Sequence, residues 1–415
     1  MINPKTKQRE LAYIVKIDEV KELEGYDRIA HYRVGGWWLV SGKGDYQVGD
    51  LALYIEIDSL CPYTEQFKFL DEQFNEQGEK IRPDRHKIKT QKFCKGEAVS
   101  QGLLCPLKDF PQLKNKDLGY FCTEELGITY YEVDDNQRKA NYSRYTSMQA
   151  RHKKFFKTRV GKWLMKREWG RKLCFFFLGK KKDKKTDWPS WVVKTDEERC
   201  QNCFTSMKNL GLTWMVTEKI DGTSTTFTMK QHRNEKKREL LVCSRNVVYN
   251  TPEKEERNFY KDTDGNVYQE MCFKYDIKRL MNMVLTDNPD LEYITIQGET
   301  YGGSIQRRDY GKEHRFAIFN FIYKRKGEAV TRMNPRELLD WVEWCNRCRS
   351  FNLEAVPLLT ECYTLPETCD ELLAYASSEL SMIDGKMREG VVLRSLDGIH
   401  SFKAVSTEFL LKYHG

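Results

Sequence analysis

The sequence predicts an α+β protein in two folded parts, a small β-barrel in front and a larger mixed domain behind. Three observations predict it. Short apolar runs of strand composition fill residues 10–60 and return near residue 100, broken by glycine turns. From Leu212 onward, strand-like runs alternate with helical patterns. Between the halves the composition changes abruptly: Arg138 to Lys185 holds eighteen Lys/Arg and only two acids, Glu168 and Asp183. That block carries +16 in a chain of net +8, so everything else sums to −8.

In front, HYRVGGWWLVSG and DLALYIEID read as strands punctuated by Gly42-Lys43-Gly44-Asp45 and Val48-Gly49-Asp50. AVSQGLLCPL adds another near residue 100. Several short strands between glycine turns suggest a five-stranded OB-type barrel, an architecture that binds single strands or duplex edges. The front part is placed at residues 1–134, a basic, aromatic-rich linker or insertion at 135–187, and the rear domain at 188–415, with Trp188-Pro189-Ser190-Trp191 as the boundary.

The basic block is interleaved with Tyr142, Tyr145, Phe155, Phe156, Trp163, Trp169 and Phe175 to Phe177. A charge run by itself reads as a solvated linker. So many aromatics argue against one that is wholly unstructured, because exposing them is costly. Basic side chains neutralise phosphates and aromatic faces stack on bases, so nucleic acid is the expected partner. The KKKDKK run near Lys180 also fits a nuclear-type basic tract.

Hydrophobic residues at 40% and aromatics at 13% exclude a disordered chain. The apolar stretch Leu173–Leu178 is six residues long, where a membrane helix needs about 20. MINPKTKQRE has no apolar core, so no secretory signal is expected, and the thirteen cysteines read as reduced intracellular thiols. An intracellular, soluble protein is expected, with nucleus and cytoplasm undistinguished. Two CxxC pairs, Cys200/Cys203 and Cys345/Cys348, match the ligand spacing of a four-thiolate zinc site. Both lie in predicted helices, and Cys345 and Cys348 continue a stripe with Leu338, Trp341 and Val342, so core packing is the expectation.

In the rear part a helix is expected to open at Thr195, with Glu198 completing a capping box. LTWMVTEKI, TSTTFTM, LLVCSR, EYITIQGET, FAIFNFIY and GVVLRS read as strands. KYDIKRLMNMVL, PRELLDWVEWCNRC (started by Asn334-Pro335) and DELLAYASSELSMI read as helices.

The sharpest signal is Lys219-Ile220-Asp221-Gly222. KxDG alone is a weak motif, equally a charged turn. Its weight comes from an ordered series of downstream residues: Ser244-Arg245-Asn246, Gly298-Glu299, Phe319 twenty residues after Glu299, Glu389-Gly390 opening a strand, and Lys403 in SFKAV. This collinear set resembles the covalent nucleotidyltransferase superfamily of polynucleotide ligases and mRNA capping enzymes. The resemblance implies an antiparallel-sheet nucleotidyltransferase (adenylyltransferase) domain with flanking helices. It makes Lys219 the nucleophile and Lys403 its catalytic partner. Glu218, Arg245, Glu299, Phe319 and Lys403 then join Lys219 in binding ATP. Asp221, Glu299 and Glu389 are the carboxylates for Mg2+ or Mn2+, reached through water as magnesium prefers. A lysine nucleophile must be unprotonated, against an ordinary pKa of about 10.4. Repulsion from a metal and Lys403 is expected to lower it.

Only twelve residues follow Lys403, whereas DNA ligases and capping enzymes carry their barrel behind the catalytic domain. The barrel expected in front instead resembles the Naegleria-type RNA ligase family. YIVKIDEVKELEGYDRIAHYRVGGWWLV, VGDLALYIEIDSLCP, HKIKTQKFCKGEAVSQGLLCPL, VVKTDEERCQN and SFKAVSTEFLLKYHG all fit that pattern. One departure is Val405, where some relatives have a second lysine; Lys412 is the nearest later lysine and is carried over only as a candidate phosphate contact. The implied reaction joins 5′-phosphate and 3′-OH RNA ends through a lysyl-AMP and an adenylylated RNA, as in nick sealing. No obligate protein partner is implied. A capping-type guanylyltransferase and a DNA ligase are the enzymatic alternatives. A non-catalytic RNA-binding protein with a retained transferase fold is the alternative of another class.

Overall fold

The computed structural model describes residues 1–3, 5–6, 8–75, 77, 79–96, 98–131, 155, 158–165, 169–170, 174, 188–231, 238–249, 266–303, 305–306 and 308–414. Of the basic block, Tyr142, Tyr145, Phe156, Phe175 to Phe177 and the Lys180 run lie outside the described residues. The chain forms two compact units: one comprises Met1–Ile57, Lys89–Phe121 and Thr186–Gly415, the other Asp58–Ile88 and Cys122–Lys185.

In the first unit, front strands β1 (Ala12–Lys16), β5 (Leu51–Ile55) and β8 (Leu103–Pro106) form an antiparallel sheet in the order β1-β5-β8. A second sheet runs β2 (Glu19–Glu22), β3 (Ile29–Val34), β4 (Trp37–Gly42), and β6 (Thr90–Phe93) pairs with β7 (Ala98–Gln101). Residues along β3 alternate between half-buried and buried, the period-2 pattern of a strand with one covered face. Tyr32, Val34, Trp37 and Leu39 meet Tyr13, Ala52, Tyr54 and Leu104 in one core. HYRVGGWWLVSG is therefore a hairpin turning at Gly35-Gly36 rather than a single run.

This barrel is bonded to the rear domain within the same unit. The Asn202 amide oxygen accepts from the Trp37 indole at 2.6 Å and from the Tyr13 hydroxyl at 3.2 Å, while its NH2 donates to Glu56 at 3.1 Å. Ile57 packs with Val405 and Leu410.

The rear domain holds two sheets. The first runs β9 (Glu198–Arg199), β17 (Ser401–Val405), β16 (Gly390–Ser395), β10 (Trp214–Lys219), β15 (Leu358–Tyr363), antiparallel except for the β9–β17 pair. The second contains β12 (Arg238–Cys243), β11 (Thr223–Gln231), β13 (Leu291–Tyr301) and β14 (Arg315–Arg325) in that order, extended by shorter strands. Helices α1 (Cys200–Asn209) and α4 (Cys369–Ser378) bury Cys200, Phe204 and Leu372 against Trp214, Val216, Val391 and Phe402 of the first sheet. Helices α2 (Ile277–Asp287) and α3 (Pro335–Arg349) cover the second. Ile277, Leu280, Met281, Val284 and Leu285 give α2 its apolar stripe at helical spacing. Asn334 and Glu337 form a capping box that starts α3, and Thr368 and Glu371 do the same for α4.

Two local expectations are corrected. No helix opens at Thr195: its hydroxyl lies 2.6 Å from Ser224, and α1 begins at Cys200 because residues 198–199 are drawn into a parallel pairing with Phe402 and Lys403. Cys348 is exposed rather than on the α3 stripe, whereas Cys345 is buried in the core. Cys200 and Cys345 belong to different cores, so the two pairs do not make one thiolate site.

In the second unit, Ser59–Leu60 pairs with Thr129–Tyr130 and Gln73–Phe74 with Lys80–Arg82. The indoles of Trp163 and Trp169 meet edge-on at 5.6 Å, and both are about half exposed. Among the described residues no helix is long and apolar enough to cross a membrane.

Candidate active site

Lys219 is the last residue of β10, and Gly390, which opens β16, lies directly opposite it. This register places Glu389 beside the lysine: the Lys219 ammonium is 2.7 Å from each Glu389 carboxylate oxygen. Gly390 has φ +156°, and a Cβ there would collide with the Ala404 carbonyl of β17. The chain then crosses through Ile220-Asp221-Gly222 into β11 of the other sheet. There Ser224 pairs with Glu299, and a Cβ on Gly222 would strike the Thr300 carbonyl and the Glu299 side chain. Both glycines of the sequence motifs are thus required by close backbone approach.

Phe319 occupies a β-bulge. Gly298 pairs with Ile318 and Gln297 with Asn320, which leaves Phe319 as the extra residue of β14. The bulge packs its half-buried ring with Ile220, Tyr301 and Tyr310, next to the turn that follows Lys219. Glu218 is 1% exposed and accepts the Met382 N–H at 2.8 Å, which ties it to the loop after α4.

Lys403 and Arg245 converge from opposite sheets on a carboxylate that sequence reasoning left unassigned, Asp196. Arg245 donates to it at 2.6 Å and Lys403 at 3.3 Å. In the sequence Asp196 is one of three successive acids, and reading a helix start across them concealed it. Tyr310 is likewise new: its hydroxyl accepts the Asp221 N–H at 3.2 Å, and buried Arg308 lies 4.3 Å over its ring while pairing with Asp384 at 2.7 Å. Lys412 stands apart from these bonds, exposed, with its ammonium 5.1 Å from the Tyr413 ring centre.

The electrostatics of the site without a metal run opposite to the lowering expected with one. Burial pulls the Lys219 amine down, but Glu389, Glu299 and Asp221 outweigh it, and its pKa is raised. Neighbouring cations do not dominate, because three carboxylates surround the amine. Burial, with help from Glu389 and Asp221, pushes Glu299 up to about 8. Burial brings Lys403 down to about 8, opposed by Asp196 and assisted by Arg9, Arg199 and Lys219. Burial would raise Asp196, yet Lys403 and Arg245 hold it well below the usual carboxylate range.

A divalent cation fits this donor set. Three carboxylates surround one ammonium, and one of them is forced toward its neutral form, a strain that a nearby hard cation relieves. Among the described residues no three His, Cys, Asp or Glu side chains converge tightly enough to hold a metal directly.

Residues 212–414 match the RNA ligase family model, and residues 11–107 match that of an OB-fold domain. The order expected from the sequence, an OB barrel ahead of a nucleotidyltransferase-type domain of antiparallel sheets, is the one found. Solved structures of Naegleria gruberi RNA ligase share the fold of the whole chain. An apo variant superposes with a TM-score of 0.69 at 24% identity, covering 98% of this chain and 99% of that one. The form with PPi gives 0.68 at 24% identity, with the same coverage. A variant with ATP and Mn gives 0.70 at 24% identity, over 98% of this chain and 100% of that one. No curated protein sequence matches the chain.

Proposed function

We propose that the protein is an ATP-dependent RNA ligase that joins a 5′-phosphate to a 3′-hydroxyl, with Lys219 as the covalent carrier of AMP. The observation that carries this reading is the Lys219 ammonium held 2.7 Å from Glu389 at a strand end inside an RNA ligase domain. Lys219 attacks the α-phosphorus of ATP; a phosphoramidate bond forms and pyrophosphate leaves. The adenylate then passes to an RNA 5′-phosphate, and a 3′-hydroxyl displaces AMP to close the phosphodiester.

Each step asks something of this chain's own residues. Lys219 begins as an ammonium and must shed a proton before it attacks. Phe319 offers the base a ring face, and Glu218 lines the same side of the site. Arg245 and Lys403 are the cations for the sugar and phosphates, where negative charge builds in the transition state. Asp221, Glu299 and Glu389 would hold Mg2+ or Mn2+, which supplies charge compensation for both the amine and the phosphate oxygens. Lys412 is a candidate phosphate contact outside that group.

On this reading residues 1–134 and 135–187 serve the RNA backbone and residues 188–415 the chemistry. The Asp58–Ile88 and Cys122–Lys185 unit carries 23 Lys/Arg against 14 Asp/Glu, a net +9, which leaves −1 for the remainder of the +8 chain. Phosphate neutralisation is therefore a task for this unit. Nicked or broken RNA is the substrate, and the setting is intracellular, nuclear or cytoplasmic.

The deciding experiment incubates the protein with α-labelled ATP or GTP and a divalent ion. Lys219 should be labelled from ATP, and Lys219→Ala should lose the label while still binding RNA. Labelling from GTP would make it a capping-type enzyme, and no label at all an RNA-binding protein. Nicks with RNA or DNA 3′ ends then separate RNA from DNA ligase.

A further inference from the structure

Trp188 to Glu197 runs as an irregular strap between the boundary tryptophans and β9, and almost every residue of its second half is fastened. The Trp191 indole donates to Thr228 at 3.0 Å, and Gln297 donates to the Val193 carbonyl at 2.7 Å. Lys194 donates to Asn246 at 3.2 Å, Thr195 meets Ser224 at 2.6 Å, and Glu197 lies 3.5 Å from Arg394. The strap then enters the sheet with Arg199 opposite Lys403. Asp196 is the one strap residue that touches two of the proposed phosphate-binding cations at once, and its neighbours Thr195 and Glu197 are both fastened.

We infer that Asp196 is a positioning residue, a fixed counter-ion that holds Lys403 charged and pairs it with Arg245 so that both face one phosphate. This rests on the reading of the site as an ATP-binding centre. Lys403 is buried among like charges, with Arg9 from the barrel side, Arg199 on β9 and Lys219 on β10 all disfavouring its ammonium. Asp196 is the acidic group that opposes them. An ammonium has three N–H donors, so a carboxylate on one side leaves directions for a phosphate oxygen on another. Without the carboxylate, the least costly response of so crowded an amine is to lose its proton.

The test is calorimetric titration of ATP into the full chain without divalent ion, so that no adenylylation occurs, in two buffers of different ionisation enthalpy at about pH 8. With Lys403 near half-charged, and Glu299 exchanging equally in both proteins, Asp196→Asn should take up about half a proton more per ATP than the wild type. Asp196→Glu should behave as wild type, and in a Lys403→Met background Asp196→Asn should no longer change the uptake. If Asp196→Asn does not fold, Asp196→Ser serves the same purpose. Uptake in the Asp196 variant equal to wild type overturns the inference, as does tighter ATP binding without extra uptake, which would make Asp196 a competitor of the phosphate. A wild type that binds no ATP overturns the reading of the site instead.

Discussion

Lys219 and Glu389 form a two-oxygen ion pair across the β10–β16 register, 2.7 Å to each oxygen, so the proposed nucleophile rests as a masked ammonium. The same contact that positions the amine suppresses its reactivity. On the proposed reading, activation requires that carboxylate charge to be offset, the part assigned to the divalent ion.

Glu389→Gln keeps the shape of the contact but removes the first of the carboxylates that raise Lys219. In metal-free protein, reductive methylation of Lys219 should reach half-extent at lower pH than in wild type. An unchanged profile would mean the pair does not control the amine. Adenylylation should nonetheless fall, because the variant also loses a proposed metal carboxylate.

Glu299 titrates near 8 in the folded chain against an ordinary 4.5. The folded state therefore keeps that proton longer than the unfolded one. Its contribution is fully present below about pH 4.5 and is lost as pH rises through about 8. Glu299→Gln should flatten the decline in Tm between about pH 4.5 and 8, by on the order of a few °C. Added Mg2+ should raise the wild-type Tm more at about pH 8 than at about pH 6, and the variant should lose much of that difference.

Gly390→Ala and Gly222→Ala each place a methyl against a backbone carbonyl of a neighbouring strand. Each should cost about 1–3 kcal/mol in denaturant unfolding and depress lysine labelling beyond what the loss of stability explains. Full stability in either variant would show that the strands can separate locally.

Asn202→Ala removes the shared partner of Trp37, Tyr13 and Glu56. Buried groups left without that partner should lower stability by about 1–3 kcal/mol. Because the barrel and rear domain belong to one compact unit, these two parts should still unfold together.

The sequence by itself determined the collinear residues Lys219, Asp221, Arg245, Glu299, Phe319, Glu389 and Lys403, the barrel-first order, and helices α2, α3 and α4. These are local signals: an apolar period, a capping residue and a motif each declare themselves within a few neighbours. Only the tertiary structure decided that 195–199 is a strap and strand rather than a helix start, because a parallel pairing with Phe402 and Lys403, far along the chain, outweighs a local capping pattern. Only it put Asp196 between Arg245 and Lys403, Tyr310 on the Asp221 amide and Phe319 in a bulge. The direction of the Lys219 shift was equally hidden, since a pKa is the sum of charges that meet in space, and three carboxylates spread over 169 residues meet only when the sheets are assembled.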